Sequence, residues 1–211
     1  MAGGDRTGTV GRFIAFEGGE ACGKSTQARL LAGRLGAVLT REPGGTPAGA
    51  QLRALLLDPA SGEIDPRAEA LLVAADRAQH VAELVRPSLE SGRHVVTDRF
   101  IGSSLAYQGY GRGLDLDWLR ELSRFATDGL DADLVILLDV DPTVASGRTT
   151  EAPDRLEQAG DSFHRAVEQG YLDLAAADPD RWVRLDGTGA IEQVAAGVDA
   201  VVAERLGLVA P

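Results

Sequence analysis

The sequence predicts an α/β domain built on a doubly wound, five-stranded parallel sheet. Three observations lead there. Short apolar runs alternate with stretches of helical periodicity along the chain. One run, LVILLDV at 134–140, is almost continuously apolar, as in a strand buried on both faces. The length of 211 residues, with 44% hydrophobic and 25% charged side chains, suits a single core.

The elements follow in order. Residues 12–17, RFIAFE, form a strand that runs into a glycine-rich turn. From Lys24 to Leu35, Ala28, Leu31, Ala32 and Leu35 fall at helical spacing. AVLTRE at 37–42 is the second strand, followed by a Gly44-Gly45-Pro47 loop and a short helix over 48–57. Pro66 suits the first turn of a long helix to about residue 89, which Pro87 bends or ends. HVVTD at 94–98 is the third strand, and residues 114–127 contain a helix. After the fourth strand a helix starts at Pro142, residues 149–161 are polar and irregular, and 162–177 are helical. RWVRLD at 181–186 is the last strand and 191–206 the last helix. Parallel strands joined by crossover helices gather ligands at their carboxyl ends. Chemistry is therefore expected just after Glu17, Thr40, Asp98 and Asp139.

Bulk properties narrow the function. A net charge of −11 argues against a nucleic-acid track but allows a small anionic substrate held by local cations. No apolar run approaches the roughly 20 residues of a membrane span. Residues 1–11 read as a loose tail without the apolar core of a signal peptide, so a cytoplasmic protein is expected, with the domain over 12–211. The single cysteine, Cys22, excludes an internal disulfide framework and a cysteine-based zinc site.

Gly18-Gly19-Glu20-Ala21-Cys22-Gly23-Lys24-Ser25 fits G-x-x-x-x-G-K-[ST], between a strand and a helix, as in P-loop NTPases. Its glycines let backbone N–H groups turn inward around a phosphate, and the following helix adds its positive end. Residues 18–25 with Thr26 are the expected ATP-binding segment. Lys24 is expected on the β- and γ-phosphates and the Ser25 hydroxyl on Mg²⁺. Lys24 is the chain's single lysine among 21 basic residues, a compact ammonium kept against a strong arginine bias. Cys22 reads first as a small residue that fits the loop, and second as a reactive thiol at a helix N-terminus.

A P-loop does not by itself separate kinases from other nucleotide hydrolases. Three further stretches do: Thr40-Arg41-Glu42-Pro43-Gly44-Gly45-Thr46-Pro47 after the second strand, Asp98-Arg99-Phe100-Ile101-Gly102-Ser103-Ser104-Leu105-Ala106-Tyr107-Gln108-Gly109 after the third, and Asp139-Val140-Asp141-Pro142 after the fourth. With them the chain resembles the thymidylate kinase family from about Arg12 to Leu206. The resemblance implies ATP-dependent, Mg²⁺-assisted phosphorylation of dTMP, and a homodimer. It places Arg99 on the acceptor phosphate, where a bidentate arginine also suits the chemistry. It places Asp98 at the reaction centre near the metal, and Glu20 on the acceptor sugar hydroxyl. Tyr107 then crowds the sugar 2′ position, Ser104 and Gln108 read the pyrimidine edge, and Ser103 joins them in binding the acceptor. Arg41, Pro43, Arg53 and Arg77 join the acceptor side. Val73 departs from the family, which carries a phenylalanine there that stacks on the base. On the sequence, a kinase for a different or modified pyrimidine deoxynucleotide stays open, as does a nucleotide-binding regulator without catalysis.

The family also implies a small mobile lid over ATP, here about 149–160. This P-loop has no arginine, so the lid is expected to supply one: Arg155, beside the transferring phosphoryl group. Arg148 matches an arginine that packs on adenine, Glu157 an acid near the acceptor, and Asp186 lies in a loop bordering adenine. The apolar face of Leu71, Leu72 and Ala75 fits either a core or a dimer contact.

Overall fold

The computed structural model describes residues 10–141, 144, 147 and 153–209. Five parallel strands form one sheet in the order β2-β3-β1-β4-β5. They are β1 (Phe13–Glu17), β2 (Val38–Arg41), β3 (Val95–Asp98), β4 (Leu134–Asp139) and β5 (Trp182–Asp186). The expected doubly wound sheet is thus present. Strand order turns around at β1, which pairs with β3 on one side and β4 on the other. The crevice beyond the strands' carboxyl ends lies at that reversal.

Alternation along each buried strand divides the core between the faces. Ile14, Phe16, Val96, Leu134, Ile136 and Leu138 face one way, against α1 (Lys24–Leu35) and the C-terminal helix α8 (Ile191–Leu206). Phe13, Ala15, Val95 and Val135 face the other. There they meet α3 (Pro66–His80) as it continues through a wide turn at Val81–Val85 into α4 (Arg86–Glu90). Pro87 does not stop this helix. A widened, i→i+5 turn precedes it and takes up the break that a residue without an N–H makes in the hydrogen-bond ladder.

Local signals set most helix starts. Thr46 caps α2 (Pro47–Leu57) by accepting from the Gly49 amide at 3.0 Å. Asp65 caps α3 through the Arg67 amide, with Pro66 in the first turn. Asp115 caps α6 (Leu116–Thr127) through the Trp118 amide.

One helical stretch was not expected. After the D-R-F motif, α5 (Ile101–Ser104) opens into a π-type turn over Leu105–Gly111. Its glycines weaken helix propensity and obscure the periodicity. They are there for packing: a Cβ on Gly102 would come within 2.6 Å of the Trp182 ring and 2.8 Å of the Glu17 carboxylate. Helix α7 (Asp161–Ala177) then packs along this turn through Phe163, Val167 and Tyr171. The helix expected from Pro142 lies outside the described residues except Val144 and Gly147. Among the described residues no helix is long and apolar enough to cross a membrane.

Candidate active site

The loop after β1 bends through left-handed residues at Ala21 (φ 53°) and Gly23 (φ 95°). Gly23 begins α1 without a side-chain cap, and no acidic residue occupies the helix's first turn. Its first amides and its positive end are therefore left for an anion. Lys24 is 5% exposed and folds back across its own loop, donating from Nζ to the Gly19 carbonyl at 2.5 Å. The same Nζ lies 3.5 Å from the Cys22 sulfur. The Cys22 side chain is 3% exposed and packs with Ile14, Ala28 and Leu138, forming a floor under the loop. The reading of Cys22 as a small packing residue fits this placement. The loop lines a cleft of about 1070 Å³ that also touches Arg41, Arg53, Asp98, Arg99 and the segment from Gly187 to Ile191. Thr26 lies on the same wall.

At the cleft floor the Ser25 hydroxyl donates to Asp98 Oδ2. Asp98 Oδ1 is buried and has no hydrogen-bond partner among the described residues. A hydroxyl and a carboxylate oxygen one bond apart, with a second oxygen unspent, is a donor set that fits Mg²⁺ completed by phosphates and water.

Arg99 follows at φ 73°, a left-handed backbone that non-glycine residues rarely adopt. The bend turns its guanidinium into a cage. One terminal nitrogen donates to the Gly18 carbonyl at 3.1 Å, to Ser103 Oγ at 3.2 Å and to the Tyr171 hydroxyl at 3.0 Å. The other donates to Glu20 Oε1 at 2.5 Å and the Tyr107 hydroxyl at 3.1 Å. Burial alone would raise the Glu20 carboxyl, but Arg99 and then Lys24 draw it down to about 2. Burial pushes the Tyr107 and Tyr171 phenols well above their ordinary value, so both stay protonated as donors.

Glu17 supports this cage from below. Its side chain is fully buried, and Oε1 accepts from the amides of Phe100 and Ser103 at 2.9 and 3.0 Å. Oε2 accepts from Ser103 Oγ at 2.6 Å and the Tyr171 hydroxyl at 3.2 Å. The last residue of β1 thereby caps the start of α5, which has no cap of its own.

A second cavity of about 90 Å³ adjoins the first, between Glu20, Arg99 and Tyr107 on one side and Val73, Ser104 and Gln108 on the other. Pro43, Arg53, Arg77 and Ser103 complete its wall. The half-buried Arg53 donates to the Pro43 carbonyl at 3.0 Å. Arg41 is exposed at the end of β2, in register with Asp98. Ser104 is 5% exposed, and its hydroxyl has no partner among the described residues. Arg77 is placed differently from a free ligand-binding arginine. It is 1% exposed, and its guanidinium donates to Glu42 Oε2 at 2.8 Å, the Phe100 carbonyl at 2.9 Å and Ser123 Oγ at 3.4 Å. Glu42 also pairs with His80, whose other ring nitrogen meets Thr40.

Of the expected lid, residues 153–160 are described. Arg155 lies beside the second cavity: its Nε donates to the Leu56 carbonyl and a terminal nitrogen to Glu69 Oε2, both at 2.7 Å. Its neighbours Asp154 and Leu156 line that cavity. Glu157 accepts from the Asp154 amide at 2.8 Å, and burial raises its carboxyl, helped by Asp154 and Glu20. Arg148 lies outside the described residues. Asp186 is exposed and closes a turn through the Thr188 amide and hydroxyl. That turn abuts the P-loop, since a Cβ on Gly187 would sit 3.2 Å from the Cys22 carbonyl.

Glu17, Tyr171, Glu42, His80 and Glu69 were not anticipated. Glu17 carried a signal, a lone acid ending an apolar strand. Glu42 stood inside the Thr40–Pro47 motif without a role of its own, and Tyr171, His80 and Glu69 carried no signal, because an isolated polar residue on a helix reads as surface.

The family model described as thymidylate kinase matches residues 16–198. A thymidylate kinase of Deinococcus radiodurans is 50% identical over 202 residues, covering 92% of this chain and 98% of the relative. One from Bifidobacterium longum is 48% identical over the same coverage. The crystal structure of thymidylate kinase from Ehrlichia chaffeensis superposes with a TM-score of 0.77 at 32% identity, covering 92% of this chain and 99% of that one. With this sheet order and P-loop behind them, the matches place the chain in the thymidylate kinase family.

Proposed function

We infer that the protein transfers the γ-phosphoryl group of ATP to dTMP, giving ADP and dTDP. The observation that carries this reading is a shared wall: Glu20 and Arg99 line both the P-loop cleft and the acceptor cavity. Donor and acceptor phosphates would meet there, which an in-line transfer requires. An acceptor phosphate oxygen forms the new bond to the γ-phosphorus as the bond to the β,γ-bridging oxygen breaks. That nucleophile is anionic near neutral pH, so no protein base is assigned. Catalysis is positioning plus charge neutralisation.

The P-loop amides and Lys24 hold the β- and γ-phosphates. Ser25 and Asp98 would hold Mg²⁺, which supplies charge neutralisation on those phosphates. Arg99 exchanges the Glu20 carboxylate for the acceptor phosphate, and Glu20 turns to the sugar hydroxyl. Tyr107 packs where a 2′-hydroxyl would stand. Ser103, Ser104, Gln108 and Val73 enclose the base, with Pro43 and Arg77 behind it. Arg41 and Arg53 add positive charge on the phosphate side. Arg155 neutralises the transferring group once it leaves Glu69, with Glu157 close to the acceptor. Arg148 and Asp186 border the adenine. The protein works in the cytoplasm on dTTP supply.

A homodimer fits the surface. On α3, Leu71 is 52% exposed, and on the neighbouring α6 Trp118 and Phe125 are 42% and 86% exposed. Such a set of apolar side chains favours a subunit contact over a core face. Sedimentation at micromolar concentration should give twice the chain mass.

Coupled ADP release with dTMP, dUMP, dCMP and dGMP tests the reaction. The highest kcat/KM should belong to dTMP. No turnover with any monophosphate would defeat the kinase reading, and a higher value for another pyrimidine would move the assignment to that base.

A further inference from the structure

Glu69 lies on α3 with its side chain fully buried, among groups that all donate to it. Gln108 Nε2 donates to Oε1 at 2.9 Å. Arg112 reaches both oxygens, at 3.3 and 3.1 Å, and Arg155 donates to Oε2 at 2.7 Å. Burial alone would raise this carboxyl, but the bonds from Arg112, Gln108 and Arg155 outweigh it and keep it below its ordinary range. Glu69 is therefore an anion that can only accept hydrogen bonds.

That fixes its neighbour. A carboxamide facing a carboxylate must present its NH₂ group, so its carbonyl oxygen turns the other way. Gln108 is 2% exposed and lines the acceptor cavity. Ser104, one helical turn earlier, lines the same cavity with its unpartnered hydroxyl. The cavity thus offers a fixed acceptor from Gln108 beside a hydroxyl free to donate.

We propose that Glu69 is a positioning residue: it locks the Gln108 amide with its carbonyl toward the acceptor, selecting pyrimidines that carry an N3–H over cytosine. Thymine and uracil present an N3–H beside a C4 carbonyl, matching the Gln108 carbonyl and the Ser104 hydroxyl. Cytosine presents a bare N3 and a C4 amino group. Its N3 lone pair would face the Gln108 carbonyl, and Glu69 prevents the amide from flipping to relieve the clash. The proposal rests on reading this cavity as the acceptor base site.

The test compares dUMP with dCMP, neither of which carries a 5-methyl group, as inhibitors of dTMP turnover. The wild-type chain should prefer dUMP. In Glu69→Gln the amide is free to flip, and in Gln108→Met it is gone. Each should reduce the preference for dUMP by about tenfold or more, the scale of one buried hydrogen bond. A purely structural Glu69 would weaken both inhibitors together and leave their ratio unchanged. If Glu69→Gln does not fold, Gln108→Met carries the test alone, and a wild-type ratio in that variant overturns the proposal. Ser104→Ala separates the two levels. If it raises the dTMP KM while the ratio survives in Gln108→Met, the base site stands and the proposal fails. If neither Ser104→Ala nor Gln108→Met alters dTMP binding, the base-site reading fails and the proposal with it.

Discussion

The Arg99 guanidinium is held by the Glu20 carboxylate at 2.5 Å, where the P-loop cleft meets the acceptor cavity. A cation and an anion of similar reach, both within the site, give the pocket a charge pair that an incoming phosphate can open. The loop contributes Glu20 and the left-handed bend after β3 contributes Arg99, so the pair joins the P-loop to the carboxyl end of β3.

That pair gives acid sensitivity a definite sign. Folding depresses the Glu20 carboxyl from about 4.5 to about 2. Its contribution is present in full above the unfolded value and is lost as pH falls toward the folded one. Urea midpoints measured down this range should fall less steeply for Glu20→Gln than for the wild type. Parallel curves would show that the pair adds nothing to stability.

Cys22 is buried beneath the loop, so its thiol should be inert in the folded protein. A maleimide should label it only after denaturation, and Cys22→Ala should keep its affinity for ATP. Fast labelling of the native chain, blocked by ATP, would instead place the sulfur at the phosphate side.

Arg155 sits on Glu69 in this structure and is proposed to serve the phosphoryl group after release. Arg155→Ala should lower kcat by about 10²-fold or more while changing the dTMP dissociation constant little. Equal losses in kcat and dTMP affinity would leave Arg155 as a fastener of the acceptor wall.

Val73 gives the second cavity an aliphatic wall. Val73→Phe should tighten dTMP binding, since stacking a base on an aromatic ring is worth about 1–3 kcal/mol. Titration calorimetry reads it directly. Weaker binding would mean that the cavity is already filled to its width by Val73.

Much of this was legible before the structure. Glycines followed by Lys24 and Ser25, between an apolar strand and a periodic helix, define both a local geometry and a ligand, so loop and sheet could be read together. The Arg99 segment gave its chemistry but concealed its helix, because Gly102, Gly109 and Gly111 are spent on close packing against Trp182, Leu116 and Phe163. The roles of Glu17, Glu42 and Glu69 were harder to read, because each is a buried carboxylate whose partners come from distant sequence. Arg77 and Arg155 show the same difficulty from the basic side: the residue type announces an anion partner, but only the fold shows which one.

The measurement that bears most directly on the account is the steady-state kinetics of Arg99→Ala with dTMP, set beside its affinity for ATP. In this variant kcat/KM for dTMP should fall by about 10³-fold, with the ATP dissociation constant nearly unchanged. A variant that keeps wild-type kcat/KM, or loses ATP affinity to the same extent, would contradict the meeting of donor and acceptor at Glu20 and Arg99.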